Sequence, residues 1–273
     1  MRALQQIGLR HPRIRQIRHI GGSGHHDHRL LVAEGLWAHE VLVGLDAAIE
    51  IFLWCPEAAQ RAEARALGVR VAARAKCAYR ISPAVLGRLC ERERPDGMIS
   101  VVRLPTWDAS RIDLSADGLV LVADAIEIPG NLGTLVRTLD ACGGDCLIMT
   151  NGRTQPSHPK VFRASRGMNL RVPVIEFAEP ADAARWLRKR GFGIFLATVR
   201  PGATPYLQAR YERRTAFVVC NERTGIAQPW FEHASDEITI PMRGRADSLN
   251  VAVSASILMY EICARRENRR TAR

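Results

Sequence analysis

Three short polar segments hold the residues best suited to chemistry in this 273-residue sequence, and each lies where an apolar run gives out. The first, Ile128-Pro129-Gly130-Asn131-Leu132-Gly133, follows the apolar run 119–124 and is continued by Arg137. The second, Asn221-Glu222-Arg223-Thr224-Gly225, follows Phe217-Val218-Val219-Cys220. The third runs Ile240-Pro241-Met242-Arg243-Gly244 and, after a gap, Ser248-Leu249-Asn250-Val251, which opens an apolar stretch to Glu261. A strand that ends in a turn before a polar helix start gathers amide, hydroxyl and free backbone N–H groups around one concavity. Open α/β sheets bind ligands at such strand ends. Arg137 stands nearly two helical turns beyond Asn131, so the two can border one cleft. Asn131 reads as the N-cap of its helix, Ser248 and Asn250 as caps of the last helix, and Glu222 as a carboxylate able to orient an arginine.

Around these segments the hydrophobic pattern alternates between strand and helix periods. Strands are expected near 119–124, 145–150, 172–177, 192–198, 215–220 and 236–241, with helices near 131–142, 159–167, 180–190 and 248–264. The expected fold class is α/β, with a doubly wound, mostly parallel sheet over residues 119–273. Residues 1–105 are expected to form a second, smaller α/β unit. Its basic helix covers 10–20, its strands 30–33, 48–54, 69–72 and 97–102, and its further helices 34–43, 56–67 and 83–90. Residues 106–118 show little periodicity and read as a linker.

The formal net charge is +11, divided as 17 − 12 = +5 over residues 1–115 and 22 − 16 = +6 over the rest. Such an excess favours a polyanionic partner. Lys76, Lys160 and Lys189 are the only lysines, so the charge is carried by arginine, which suits bidentate phosphate contact and stacking on bases. Arg10, Arg13, Arg15 and Arg18 share the basic face of the first helix. The seven cysteines are scattered without a CxxC pair, which supports neither a disulfide framework nor a zinc ribbon. No run of about 18 apolar residues and no signal-peptide pattern is found, so a cytoplasmic protein without a membrane partner is expected. Gly21-Gly22-Ser23-Gly24 precedes a strand, which is the wrong context for a dinucleotide loop. The neighbouring His25-His26-Asp27-His28 lies in a loop, where adjacent ligands seldom close a coordination shell, so no metal is expected. The arginine-rich end, residues 265–273, reads as solvated and frayed.

Taken in order, Pro129-Gly130-Asn131-Leu132-Gly133-x-x-x-Arg137-Thr138, Asn221-Glu222-x-x-Gly225 and Ile240-Pro241-Met242-x-Gly244-x-x-x-Ser248-Leu249-Asn250-Val251 resemble the three signature motifs of the SpoU (SPOUT class, TrmH-like) RNA 2′-O-ribose methyltransferases. The layout is most similar to the branch holding the thiostrepton- and nosiheptide-resistance rRNA methyltransferases. The resemblance implies methyl transfer from S-adenosyl-L-methionine to a ribose 2′-hydroxyl, with 23S rRNA as the substrate and thiopeptide resistance as a possible role. Such a reaction needs an in-line electrophilic methyl group, help with the hydroxyl proton and a hold on the flanking phosphate; none of these requires a metal. By the same resemblance Asn131, Arg137, Glu222, Ser248 and Asn250 form the catalytic pocket, and Arg137 and Arg166 contact RNA. The cofactor is then held largely by main chain around Leu196, Ala197, Thr198, Cys220, Asn221, Glu222, Ile240, Pro241, Met242, Ser248, Leu249, Asn250 and Val251. A deep trefoil knot at the cofactor region, an N-terminal domain that captures substrate RNA and a homodimer also follow from it. Two departures stand out: Cys220 where the second motif usually has Gly, and Arg223-Thr224 where smaller residues are common.

In the last helix Leu249, Val253, Ile257 and Tyr260 repeat at about one-turn spacing, with Val251, Leu258 and Ile262 on other sides. That helix is too apolar to turn any broad side to water, consistent with a second copy covering it. Two other readings are a tRNA 2′-O-methyltransferase and, in a different class, a catalytically inactive RNA-binding or ribosome-assembly protein. The intact set Asn131, Arg137, Glu222, Ser248 and Asn250 argues against the latter.

Overall fold

The computed structural model describes residues 4–20, 27–90, 96–221 and 225–271. Residues 21–26 and the motif residues Glu222, Arg223 and Thr224 therefore lie outside the described residues. The chain divides into two compact units, Met1–Pro105 with Ser157–Phe162, and Thr106–Pro156 with Arg163–Arg273.

The first unit contains β1 (Gln5–Gln6), α1 (Pro12–Ile20), β2 (Leu30–Glu34), α2 (Leu36–Gly44), β3 (Ala48–Trp54), α3 (Ala62–Arg74), β4 (Cys77–Arg80), α4 (Pro83–Leu86) and β5 (Met98–Arg103). Its sheet has the order β1-β4-β3-β5-β2, with β1, β4 and β3 parallel and β5 antiparallel to both neighbours. Helix α1 buries Ile14, Ile17 and Ile20 at helical spacing and turns Arg15 and Arg18 to solvent. The strand expected at 69–72 is instead the second half of α3. Ala64, Leu67, Gly68 and Val71 recur with the helical period and are buried together, and this stripe overrides the β preference of Val69 and Val71. The strand pairing with β3 is β4, eight residues later than expected.

The second unit, with the adjoining helix α6, runs β6 (Leu119–Asp124), α5 (Pro129–Ala141), β7 (Cys146–Thr150), α6 (Pro159–Ala164), β8 (Val174–Phe177), α7 (Pro180–Lys189), β9 (Phe192–Ala197), β10 (Thr204–Pro205), β11 (Arg214–Cys220), α8 (Gln228–Phe231), β12 (Asp236–Thr239) and α9 (Val251–Thr271). The sheet order is β10-β12-β9-β11-β6-β7-β8, and every neighbouring pair is parallel. All six residues of β6 are buried, as a strand covered on both faces requires. Helix α5 starts with Pro129 at its first position and buries Leu132, Leu135, Val136 and Leu139, one apolar stripe against the sheet. Residues 106–118 contain no helix or strand, yet they are bound into this unit. Trp186 Nε1 and Arg190 Nη2 each donate to Ala109 O at 3.0 Å, and Arg214 donates to the carbonyls of Leu114 and Ser115.

None of the seven cysteines is in a disulfide. Burial pushes the Cys142 and Cys146 thiols up to about 12, which keeps them protonated. Among the described residues no helix is long and apolar enough to cross a membrane, and no cluster of potential metal ligands occurs.

Candidate active site

Because the strands of the second unit run the same way, the chain leaves β9, β11 and β12 at one edge of the sheet, and there it encloses a cavity of about 540 Å3. Thr198 N donates to Ile238 O at 2.9 Å, joining the exits of β9 and β12. The segment before α9 closes the opposite wall. Of the residues expected at the cofactor, Ala197, Thr198, Cys220, Asn221, Ile240, Met242, Ser248, Leu249 and Val251 line this cavity. Leu196 does not: it points into the hydrophobic core and is fully buried. Pro241 and Asn250 are exposed and stand outside the lining.

Gly225, also on the lining, has φ +68° and N–H donating to Asn221 O at 3.1 Å. That left-handed backbone is the physical reason for glycine at the end of the second motif.

Asn131 and Asn250, 119 residues apart, are in contact: Asn250 Nδ2 donates to Asn131 Oδ1 at 3.2 Å. Asn250 Oδ1 in turn accepts from Ala252 N at 3.0 Å, the geometry of an N-cap on α9. Ser248 does not cap that helix, which begins at Val251. Asn131 does not cap α5 either; Ile128 takes that position because Pro129 is the first helical residue, and Asn131 is left free to meet Asn250. Seven residues after Asn131 and on the same helix face, Thr138 Oγ1 lies 3.2 Å from Ser256 Oγ of α9, so α9 packs along that face. Arg137 lies about 120° around α5 from Asn131. It is exposed, lines no part of the cavity and has no ion-pair or hydrogen-bond partner among the described residues. Arg166 is likewise exposed, at a left-handed φ of 56° before Gly167 at 85°. Arg10, Arg13, Arg15 and Arg18 belong to the first unit, on and just before α1.

Several positions at the cavity carry no motif. Val199, Arg200, Ile226, Gln228, Phe231 and Asp247 also line the cavity. Asp124, only 1 % exposed at the end of β6, accepts from Thr150 Oγ1 (2.9 Å), Asn151 Nδ2 (2.8 Å) and Ala227 N (2.9 Å). It thereby ties the exits of β6 and β7 to the residue next to the cavity wall at Gln228. A carboxylate at the end of an otherwise apolar strand was the available signal, since a buried charge must be satisfied by nearby donors.

The model of the SpoU rRNA Methylase family matches residues 118–260. The 23S rRNA (guanosine(2553)-2′-O)-methyltransferase RlmP of Bacillus subtilis is 30 % identical over 184 residues, covering 67 % of this chain and 71 % of that protein. A crystal structure of an RNA 2′-O ribose methyltransferase superposes with a TM-score of 0.77 at 29 % identity, covering 96 % of this chain and 99 % of that one. The SpoU methyltransferase AviRb from Streptomyces viridochromogenes, solved in complex with AdoMet, shares the fold with a TM-score of 0.79 at 24 % identity, covering 94 % of this chain and 98 % of the other.

Proposed function

The chain belongs to the SpoU rRNA methylase family, and from that membership we propose that it methylates a ribose 2′-hydroxyl of 23S rRNA with S-adenosylmethionine as donor. The observation that carries this reading is the cavity whose lining is drawn from the second and third motifs. Ile238, Ile240, Leu249 and Leu258 offer an apolar slot suited to adenine, with Asn221 and Ser248 as polar fixing groups. When bound, S-adenosylmethionine supplies an electrophilic methyl group. The chain's own residues supply position: Asn250 caps α9 and holds Asn131, so the starts of α5 and α9 are fixed together. Arg137, exposed and without a hydrogen-bond or ion-pair partner among the described residues, is the group we assign to the phosphate beside the reacting ribose. Arg166, also exposed, is proposed as a second phosphate contact.

The first unit, with its basic α1, is proposed to capture the RNA, and the cytosol is the compartment where that RNA is met. The trefoil knot belongs to the same proposal, supported by β11 lying between β9 and β6 and by α9 returning against α5. So does a homodimer. Val253 and Tyr260, two members of the apolar stripe on α9, are 48 % and 54 % exposed, and sedimentation should find twice 30.3 kDa; a 30.3 kDa species alone at micromolar concentration would exclude it.

The direct test offers labelled S-adenosylmethionine with purified 23S rRNA and with a tRNA pool. Label in rRNA that survives alkaline hydrolysis as a 2′-O-methylated dinucleotide is expected. Label in tRNA alone would move the substrate to tRNA, and the absence of cofactor binding in calorimetry would leave the inactive RNA-binding reading.

A further inference from the structure

S-adenosylmethionine joins an adenosine to an amino acid, so a site for it must meet a carboxylate as well as a base. Arg200 is the one cationic side chain among the described residues lining the cavity, and Asp247 the one acidic side chain. Arg200 lies three residues beyond the end of β9, with its backbone N–H donating to Thr198 Oγ1 at 3.1 Å. Its guanidinium stands 4.9 Å from the ring centroid of Phe231, which also lines the cavity. Its Nη1 is 3.4 and 3.5 Å from the two carboxylate oxygens of Glu237. Charge-assisted bonds are usually about 2.7–2.9 Å long, so Glu237 steadies the side chain without saturating it. Nε and Nη2 make no hydrogen bond among the described residues. The result is a planar donor fork, steadied by α8 on one side and β12 on the other, at the rim of a largely apolar cavity.

Resting on the cofactor reading above, we propose that Arg200 binds the α-carboxylate of the amino-acid half of S-adenosylmethionine and so selects for nucleosides that carry it. The guanidinium has five donors, enough to engage a ligand carboxylate while Glu237 remains in place. The adenine slot, built from other residues, is indifferent to the change. Arg200 thus separates S-adenosylhomocysteine, which keeps the amino acid, from 5′-methylthioadenosine, which lacks it.

Calorimetry on full-length wild type and Arg200→Gln with these two ligands tests the assignment, and the exposed position of Arg200 keeps folding out of question. In the variant the dissociation constant for S-adenosylhomocysteine should rise about fivefold, the upper range for an ion pair near the surface. That for 5′-methylthioadenosine should stay within error of wild type. Equal weakening of both ligands, or no change in either, overturns the role of Arg200 while leaving the cofactor reading intact. Failure of wild type to bind either ligand removes the cofactor reading and this inference with it.

Discussion

Helices α1 and α9 both carry clusters of arginine, and they use them in opposite ways. On α9, Arg265 donates to Leu207 O at 2.7 Å, Ala209 O at 2.8 Å and Glu261 Oε1 at 2.6 Å, with its guanidinium 4.8 Å from the Tyr211 ring centroid. Arg266 donates to Gly118 O at 2.9 Å. Arg265 satisfies carbonyls in an irregular segment that no ladder reaches, and Arg266 adds a second donor to Gly118 O, which already accepts from Thr215 N, so the start of the basic tail is architecture and not the frayed end its composition suggests. Around α1, by contrast, Arg10, Arg15 and Arg18 are exposed and meet no partner among the described residues, while Arg13 reaches only Gln16. Formal charge counts the two groups alike. The difference is whether the guanidinium donors are spent inside the fold or left for a polyanion, and by that criterion Arg137 on α5 sides with α1.

The largest effect that would sharpen this contrast is expected at Arg137. Arg137→Ala should lower methyl transfer about 100-fold or more, the scale of a positioned group in a transition state, with melting temperature and cofactor affinity unchanged because the side chain is exposed and meets no partner among the described residues. Activity within threefold of wild type, or a clear loss of stability, would place Arg137 in the wrong group.

How far such distinctions could be read beforehand depends on the range of the interactions. The run at β6 and the stripe Leu132, Leu135, Val136 and Leu139 on α5 are local patterns, legible because burial repeats with the period of the element. Two walls of the cavity were legible as the second and third polar segments at strand ends, since a parallel sheet brings those ends to one edge, whereas no residue of the first segment lines it. The contact of Asn131 with Asn250 spans 119 residues, and the bonds of Asp124 reach Thr150 and Ala227, 26 and 103 residues away; no local pattern encodes them. Arg200 sits in a loop without periodicity, so only the cavity shows its position. The error over 69–72 has the opposite origin: a local preference of two valines was read while the longer helical stripe of α3 was decisive.

A smaller effect, on stability, is expected from Arg265→Ala. The substitution strands two carbonyls and the carboxylate of Glu261, for which about 1–3 kcal/mol is the usual scale. Differential scanning calorimetry should show a drop of several degrees in the transition of the second unit, given about 2–4 °C per kcal/mol for a unit of this size. The salt dependence of RNA binding should not move. A variant as stable as wild type but with a shallower salt slope would show that Arg265 serves RNA after all, and the contrast between the two helices would collapse.

The smallest effect is expected from Arg15→Gln on α1. Arg15 contributes nothing to packing, because the buried face of the helix is Ile14, Ile17 and Ile20, so the melting temperature should be unchanged. If its guanidinium meets a phosphate, one counterion fewer is released on binding, and the slope of log K against log salt should become shallower by about one. At physiological salt the same loss amounts to about fivefold in RNA affinity. Methyl transfer at saturating RNA should be preserved, since the group acts on capture and lies in the unit that carries none of the three motifs. Fluorescence titrations of one 23S rRNA fragment across a salt series, run on Arg15→Gln beside Arg266→Gln, separate the two kinds of arginine directly. A shallower slope for Arg266→Gln with an unchanged one for Arg15→Gln would reverse the assignment of the two helices.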